Sequence, residues 1–320
     1  MKALITSDIH VHKYKQFNHN NRRLKYGIKY LEQIFDYANE NDIPLILIAG
    51  DLFNNMSIIN TEVVAVVTES FASNFKRYPD IDVVAISGNH DYAGKNLIHA
   101  PATSAMEFLA AAFENFHLID RGEYIRDGIR ITGVPYFDYP EHLREDLSEI
   151  VLNPEQKNYL MMHQVVGMDN PMIKEDIDPN DPLFDGFDMV FNGHIHDGGS
   201  VTKKFINIGS PMHRTASDAE TKKGFWTIDL THPSTLEFQD ITDHYPQFIH
   251  KEIGAELSEW EQRQYVIFNA PLQSENPDEQ RVNDSFNLTL SQAQLIENFC
   301  KETVPAEKDK LEYGLQLLNR

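Results

Sequence analysis

The sequence predicts an α/β protein with a second β-sheet beside the first, and three observations carry the prediction. Short, nearly all-apolar runs alternate with amphipathic stretches through residues 1–113, the pattern of a sheet covered on both faces. From Phe116 the texture changes to shorter strands bounded by turn signals. Carboxylate and imidazole residues stand directly after several apolar runs, where open α/β sheets gather their ligands.

The first strands are expected at 3–6, 44–49 and 83–87. Amphipathic helices are expected between them at 22–40 and 61–77, with a third at 103–113. In the first helix Leu24, Ile28, Leu31 and Phe35 recur at helical spacing and form one apolar stripe. Strands at 124–126 and 129–134 flank Asp127-Gly128, a strong hairpin turn. After a helix at 141–151, strands resume at 159–162, 189–192, 205–208, 225–230 and 235–241, and this second half reads as the second sheet. Beyond His244-Tyr245-Pro246 the chain becomes more polar, which places a boundary near residue 246. A catalytic domain is expected over 1–246 and a small C-terminal α+β module over 247–320. That module holds one strand at 265–269 and helices at 291–302 and 306–318, with Pro305 starting the second helix. Leu311, Leu315 and Leu318 form a short apolar stripe suited to internal packing or to a partner groove.

The net charge of −21, from 49 acidic and 28 basic residues, argues against a partner held by bulk electrostatics such as duplex DNA. Fourteen histidines point instead toward bound metal, whose charge would offset some of the carboxylates. The single cysteine, Cys300, has no partner for an internal disulfide, and a reducing setting is expected. No apolar run approaches the ~18–20 residues of a membrane span, and Lys2 and Asp8 leave no room for a signal-peptide core. The expectation is a cytoplasmic protein without a membrane partner.

Five blocks carry the chemistry: Asp8-Ile9-His10, Gly50-Asp51, Gly88-Asn89-His90-Asp91, His163, and Gly193-His194-Ile195-His196. Singly, Asp8 or Asp51 reads as a turn or helix cap and His163 as a core histidine. Together, in order and each at a strand end, they are not explained by packing.

In that order the blocks resemble the signature of the calcineurin-like metallophosphoesterases, over roughly residues 1–240. The resemblance implies a four-layer αββα sandwich, two packed mixed sheets flanked by helices, with two divalent metal ions at the strand ends. It implies that one ion takes Asp8, His10 and His196, the other Asn89, His163 and His194, and that Asp51 bridges them. Carboxylate, imidazole and amide donors without thiolate suit Mn²⁺ first, with Fe²⁺, Zn²⁺ or Mg²⁺ as alternatives. Two such ions would lower the pKa of a water toward neutrality and neutralise charge developing on a phosphoryl oxygen. The resemblance also implies that His90 faces the scissile phosphate and assists the leaving group. Asp91 is its expected orienting partner.

Further motifs narrow the branch. Ala49-Gly50-Asp51-Leu52-Phe53 and Asn207-Ile208-Gly209-Ser210-Pro211 resemble SbcD-type repair nucleases, partners of SMC-like (SbcC-type) ATPases. Gly224-Phe225-Trp226 followed by Ile228-Asp229 resembles their bacteriophage exonuclease-subunit branch. Asn54 stands where many of these nucleases have His; it can hydrogen-bond a phosphate but cannot relay a proton. His213, near the Gly-Ser-Pro turn, is a second candidate phosphate contact. Between Val11 and Leu31 the basic residues, Lys13, Lys15, Arg22, Arg23, Lys25 and Lys29, are joined by Tyr14, Phe17, Tyr26 and Tyr30 and by no acidic residue. Lys13, Lys15, Arg22, Arg23 and Lys25 are the expected DNA contacts; the alternative is a solvated helix face. Lys203-Lys204 and Lys222-Lys223 extend the patch or are exposed turns. Gly88 to Asn96 lacks the spacing and the Ser or Thr of a phosphate-binding loop, so any ATP dependence comes from a partner.

The function expected is a two-metal DNA exo- or endonuclease subunit acting in repair, recombination or replication with an SMC-like ATPase. A homodimer is a further option. The alternatives are a small-molecule or cyclic-nucleotide phosphodiesterase and a non-catalytic scaffold of the ATPase complex.

Overall fold

Burial on two opposite faces decides the architecture. In β1 (Lys2–Thr6), Ala3 and Ile5 face one core while Leu4 faces another. Leu45, Leu47 and Ala49 of β2 (Leu45–Ala49) share the first core, and Ile46 and Ile48 share the second. β3 (Asp82–Ile86) divides Val84 and Ile86 from Val83 and Ala85 in the same way. Successive strand residues point to opposite faces, so runs this apolar need cover on both. Helices α1 (Arg22–Glu40), α2 (Thr61–Arg77) and α3 (Glu107–Ala112) cover one side with Leu31, Ile34, Phe35, Val67, Phe71 and Leu109. A second sheet covers the other side. The computed structural model that gives this picture describes residues 1–13, 22–54, 60–92, 104–167, 177–253 and 255–269.

The first sheet continues through β4 (Phe116–Leu118), and β1 to β4 run parallel. The second sheet is built from β5 (Glu123–Arg126), β6 (Ile129–Val134), β7 (Lys157–His163), β8 (Met189–Gly193), β9 (Gly199–Ser200) and β10 (Phe205–Asn207). Its order is β5-β6-β7-β8-β10-β9, parallel from β6 to β10 with an antiparallel strand at each edge. Ile129, Ile131, Tyr159, Met161, Phe191 and Ile206 meet the first sheet. On its far side Leu160, Met162, Val190 and Phe205 pack with Leu143 and Leu147 of α4 (Pro140–Glu149). The layers are therefore helices, sheet, sheet, helix, as expected.

Two strands belong elsewhere than the order of the chain suggested. β11 (Gly224–Asp229) and β12 (His232–Asp240) fall in the second half of the chain but complete the first sheet, in the order β12-β11-β1-β2-β3-β4. β11 pairs antiparallel with β1, from Lys2↔Asp229 to Ile5↔Trp226. The reason is that β1 is buried throughout its apolar length and cannot stand as a free edge.

Met1–His250 together with Leu257–Ile267 forms one compact unit. β13 (Phe248–Glu252) pairs with β14 (Tyr265–Asn269) in a separate two-stranded sheet. The helices expected at 291–302 and 306–318, with the leucine stripe, lie outside the described residues, as does Lys15. Among the described residues no helix is long and apolar enough to cross a membrane.

Phe35 has no exposed surface and meets Phe71 and Phe75 edge-on at 6.1 and 5.5 Å. Phe35→Ala is expected to lower stability by about 3–5 kcal/mol in urea unfolding while leaving metal content unchanged. A smaller loss would mean that this helix–sheet core collapses around the gap.

Candidate metal centre

The site is assembled where parallel strands of both sheets end. The segment leaving β1 lies along the one leaving β2: Asp8, His10 and Val11 N–H donate to the carbonyls of Gly50, Asp51 and Leu52 at 3.0, 2.9 and 2.8 Å. Asp8, His10, Asp51 and His194 all have left-handed backbone, with φ of 54°, 50°, 53° and 73°. Such conformations cost on the order of 1–3 kcal/mol each in non-glycine residues and persist where surrounding structure fixes them. Gly50, at φ 91°, leaves room for His163: a Cβ there would stand 2.3 Å from its Nδ1. Gly193 is similarly required, because its Cβ would meet the Ala49 carbonyl at 2.1 Å.

Seven side chains converge. His10 Nε2 lies 3.2 Å from His196 Nε2, 3.6 Å from Asp8 Oδ1 and 3.4 Å from Asp51 Oδ2. Asp51 Oδ2 is also 3.4 Å from His163 Nε2 and so stands between two groups of donors. In the second group Asn89 Oδ1 is 3.2 Å from His163 Nε2 and 3.0 Å from His194 Nδ1. His163 Nδ1 faces the Ala49 carbonyl at 2.7 Å, so Nδ1 carries the donated proton and Nε2 is turned to the cluster. Among the described residues, Asp8/His10/His196, His10/Asp51/His90 and Asp8/Asp51/His163 are each spaced to hold a metal ion. Asp8 Oδ1 is buried with no hydrogen-bond partner and faces two imidazole nitrogens. Converging lone pairs of this kind fit a divalent cation, and the donor set is of the right chemistry.

Electrostatics favours the same use. Burial and the nearby Arg214 push His10 down to about 3, and burial with His163 pushes His194 down to about 4. Both rings are therefore neutral at pH 7, as ligands must be. Burial resists ionisation of Asp8, but the neighbouring rings of His10, His163 and His196 hold its pKa well below the usual range. Burial disfavours a charge on His163 too, yet Asp51 and Asp8 outweigh it and raise the ring to about 9.

Three site expectations are corrected by the contacts. Asp91 does not orient His90: Oδ2 accepts the N–H groups of Asp51 and Gly88 at 2.7 and 2.9 Å, and Oδ1 that of Phe53 at 2.9 Å. These donors lie closer to the carboxylate than the ring does, and His90 Nδ1 is left buried without a partner. His213 does not offer a phosphate contact: Nε2–H donates to the Thr221 carbonyl and Nδ1 accepts from Phe248 N–H, both at 3.1 Å. Lys223 is neither patch nor exposed turn. It is buried against Asp218 at 2.7 Å and donates to the carbonyl of the candidate ligand His196 at 2.8 Å.

Asn54 sits at the rim and accepts from Arg214 Nη2 at 3.2 Å. Of the basic stretch, Lys13 pairs with Glu62, Arg22 donates to the Arg263 carbonyl, and Arg23 lies over Tyr265 and Phe248 at 4.7 and 5.5 Å. Lys25 is exposed. Two neighbours carry no sequence signal of their own. Tyr136 stacks on His194 at 5.6 Å, and Arg214 reaches the carbonyls of Ile9 and His10 at 3.4 and 3.2 Å.

Residues 1–198 match the family model described as calcineurin-like phosphoesterase, a span that contains all seven converging residues. The chain belongs to this family. It is 24% identical over 231 residues to exonuclease subunit 1 of Enterobacteria phage T4, covering 68% of this chain and 63% of that one. It is 24% identical over 219 residues to the DNA double-strand break repair protein Mre11 of Nanoarchaeum equitans, covering 62% and 57%. The chain thus spans less than two thirds of either relative. Among solved structures, a dimetal phosphatase from Danio rerio is similar at 11% identity and TM-score 0.43, covering 71% of this chain and 91% of that one.

A metal entering beside His163 must displace the proton on Nε2. In the metal-free protein that proton contributes stability below the ordinary pKa of 6.5, and the contribution is lost as pH rises through about 9. Mn²⁺ affinity is therefore expected to rise between pH 7 and 9, with about one proton released on binding. Calorimetry in buffers of different ionisation enthalpy measures this; binding without proton release would place His163 outside the metal's reach.

Proposed function

We propose that this phosphoesterase is a two-metal phosphodiesterase that cleaves DNA as a nuclease subunit. The supporting observation is the position of Asp51, whose Oδ2 is 3.4 Å from both His10 Nε2 and His163 Nε2 and so joins two sets of donors. In this reading Asp8, His10 and His196 would hold one ion and Asn89, His163 and His194 the other, with Asp51 available to both. Divalent cations, Mn²⁺ first, would supply Lewis acidity there and lower the pKa of a water toward neutrality.

The chain's own residues do the rest. Asp91 fixes the Asp51 segment through three backbone N–H groups, and the backbone N–H of His90 holds Asp51 Oδ1 at 2.8 Å. The His90 ring stands edge-on to His10 at 4.8 Å, beside the cluster and not inside a hydrogen-bond network of its own. There it donates a proton to the leaving oxygen, a role worth about 10²–10⁴ in rate. The names of the two curated relatives, an exonuclease subunit and a break-repair protein, support DNA as the substrate. The likeness to SbcD-type nucleases supports an SMC-like ATPase partner and an intracellular setting.

A small-molecule phosphodiesterase is the second reading. It is favoured by the net charge of −21 and by the contacts that occupy Lys13, Arg22 and Arg23 within the fold. End-labelled duplex and single-stranded DNA assayed beside bis-p-nitrophenyl phosphate, all with Mn²⁺, separates the two. DNA cleavage is expected; turnover of the small ester alone, even with a cognate ATPase, would select the second reading. His90→Ala is expected to keep the bound-metal stoichiometry and to lose about 10²–10⁴ in turnover. Undiminished turnover would remove His90 from the mechanism.

A further inference from the structure

The loop after β10 sends one cation back to the segments that carry Asp8, His10 and Asp51. Arg214 follows the Gly209-Ser210-Pro211 turn, and its backbone is pinned on both sides: its N–H donates to Asp218 Oδ2 at 2.7 Å, and its carbonyl accepts from Arg23 at 3.1 Å. The guanidinium then spans the two segments that carry Asp8, His10 and Asp51. Nη1 donates to the carbonyls of His10 and Ile9 at 3.2 and 3.4 Å, and Nη2 to Asn54 Oδ1 at 3.2 Å. A guanidinium has five N–H donors. These contacts leave the Nε–H, buried and unpartnered, and one Nη2–H; the side chain as a whole remains partly exposed.

Charge makes this placement unusual. The carboxylate nearest the Arg214 backbone, Asp218, already pairs with buried Lys223 at 2.7 Å. The other carboxylates on this side, Asp8 and Asp51, face the histidine cluster and would be neutralised by cations held there. A second arginine, Arg23, lies behind Arg214, and burial together with Arg23 lowers the Arg214 pKa to about 9. A half-buried cation beside two divalent ions is costly unless an anion joins it. The matching anion is oxygen-rich, because the remaining Nη2–H of a guanidinium makes a charge-assisted hydrogen bond to a phosphate oxygen.

We propose that Arg214 donates through its remaining Nη2–H to a non-bridging oxygen of the phosphate group presented to the metal centre, with Asn54 holding the guanidinium in place. The inference rests on the phosphodiesterase reading for its substrate, but its test needs no turnover. Inorganic phosphate is titrated by calorimetry into the full-length Mn²⁺-loaded protein and into Arg214→Gln and Arg214→Lys, with bound Mn²⁺ measured in each.

The expected result is phosphate affinity weakened about 10- to 100-fold in Arg214→Gln and less in Arg214→Lys, at equal Mn²⁺ content. The lysine variant keeps the charge and so remains informative if the glutamine variant misfolds. Equal phosphate affinity in the wild type and the variants would overturn the proposal. So would a loss that tracks lost Mn²⁺, since Arg214 would then be only a tie between the two segments, or failure of the loaded wild type to bind phosphate. Phosphate binding that depends on Arg214 in a protein that cleaves neither DNA nor bis-p-nitrophenyl phosphate would defeat the catalytic reading and leave this one standing.

Discussion

Two carboxylates, four imidazoles and an amide meet at the ends of two sheets, and the rest of the molecule is arranged to keep them there. The carboxylates, His10 and His163 are buried, and Asn89, His194 and His196 are half-buried. Left unsupported, these groups would relax apart, because buried acceptors facing one another repel and lose hydration. Here the chain prevents relaxation by backbone means. Asp91 gathers the N–H groups of Asp51, Phe53 and Gly88; Ala49 offers its carbonyl to His163; and the Asp8 carboxylate is itself held by the His194 N–H at 3.1 Å. Left-handed φ at Asp8, His10, Asp51 and His194 is the local cost of aiming those side chains inward.

That cost is tolerable because the sheets beneath are rigid. β1, β2 and β3 are buried on both faces, and the core shared with β6, β7, β8 and β10 fixes one sheet against the other. Strand ends from different sheets can therefore be brought within hydrogen-bonding distance of each other. Further support comes from polar groups deep in the fold. Asn192 accepts the Gln164 N–H and donates to Gln164 and Asn207, steadying the strand ends that present His163 and His194. Lys223 and Asp218 do the same for His196 and Arg214. A buried pair like this contributes little net stability but is damaging to break, which suits a positioning role.

The basic stretch illustrates how composition and tertiary use diverge. Arg22 and Arg23 spend their guanidinium groups on the aromatic rings of Tyr26, Tyr265 and Phe248, contacts in which planar cations are favoured over lysine. Counting cations along the helix thus overstates the charge available to a polyanion. Position matters more than number: one arginine at the rim of the centre is better placed to meet a phosphate than several along a helix face.

Apolar runs alternating with amphipathic stretches pointed, from sequence alone, to the α/β class, and the five blocks, through their resemblance to the calcineurin-like phosphoesterases, pointed to the seven residues that meet. The apolar runs and the blocks at their ends are local features, set by period-two burial and by the rule that ligands gather beyond strand ends; the roles within the blocks came from the resemblance. Sequence did not determine that β11 and β12 close the first sheet, since pairing with β1 is a contact across more than two hundred residues and leaves no local pattern. Nor could it give Asp91 its three backbone donors or bring Arg214 to His10, because no spacing rule relates residues joined only by packing. Chain order supplied the ligands; the approach of two sheets decided which other groups would surround them, because a buried charge takes whichever partner the fold places within reach.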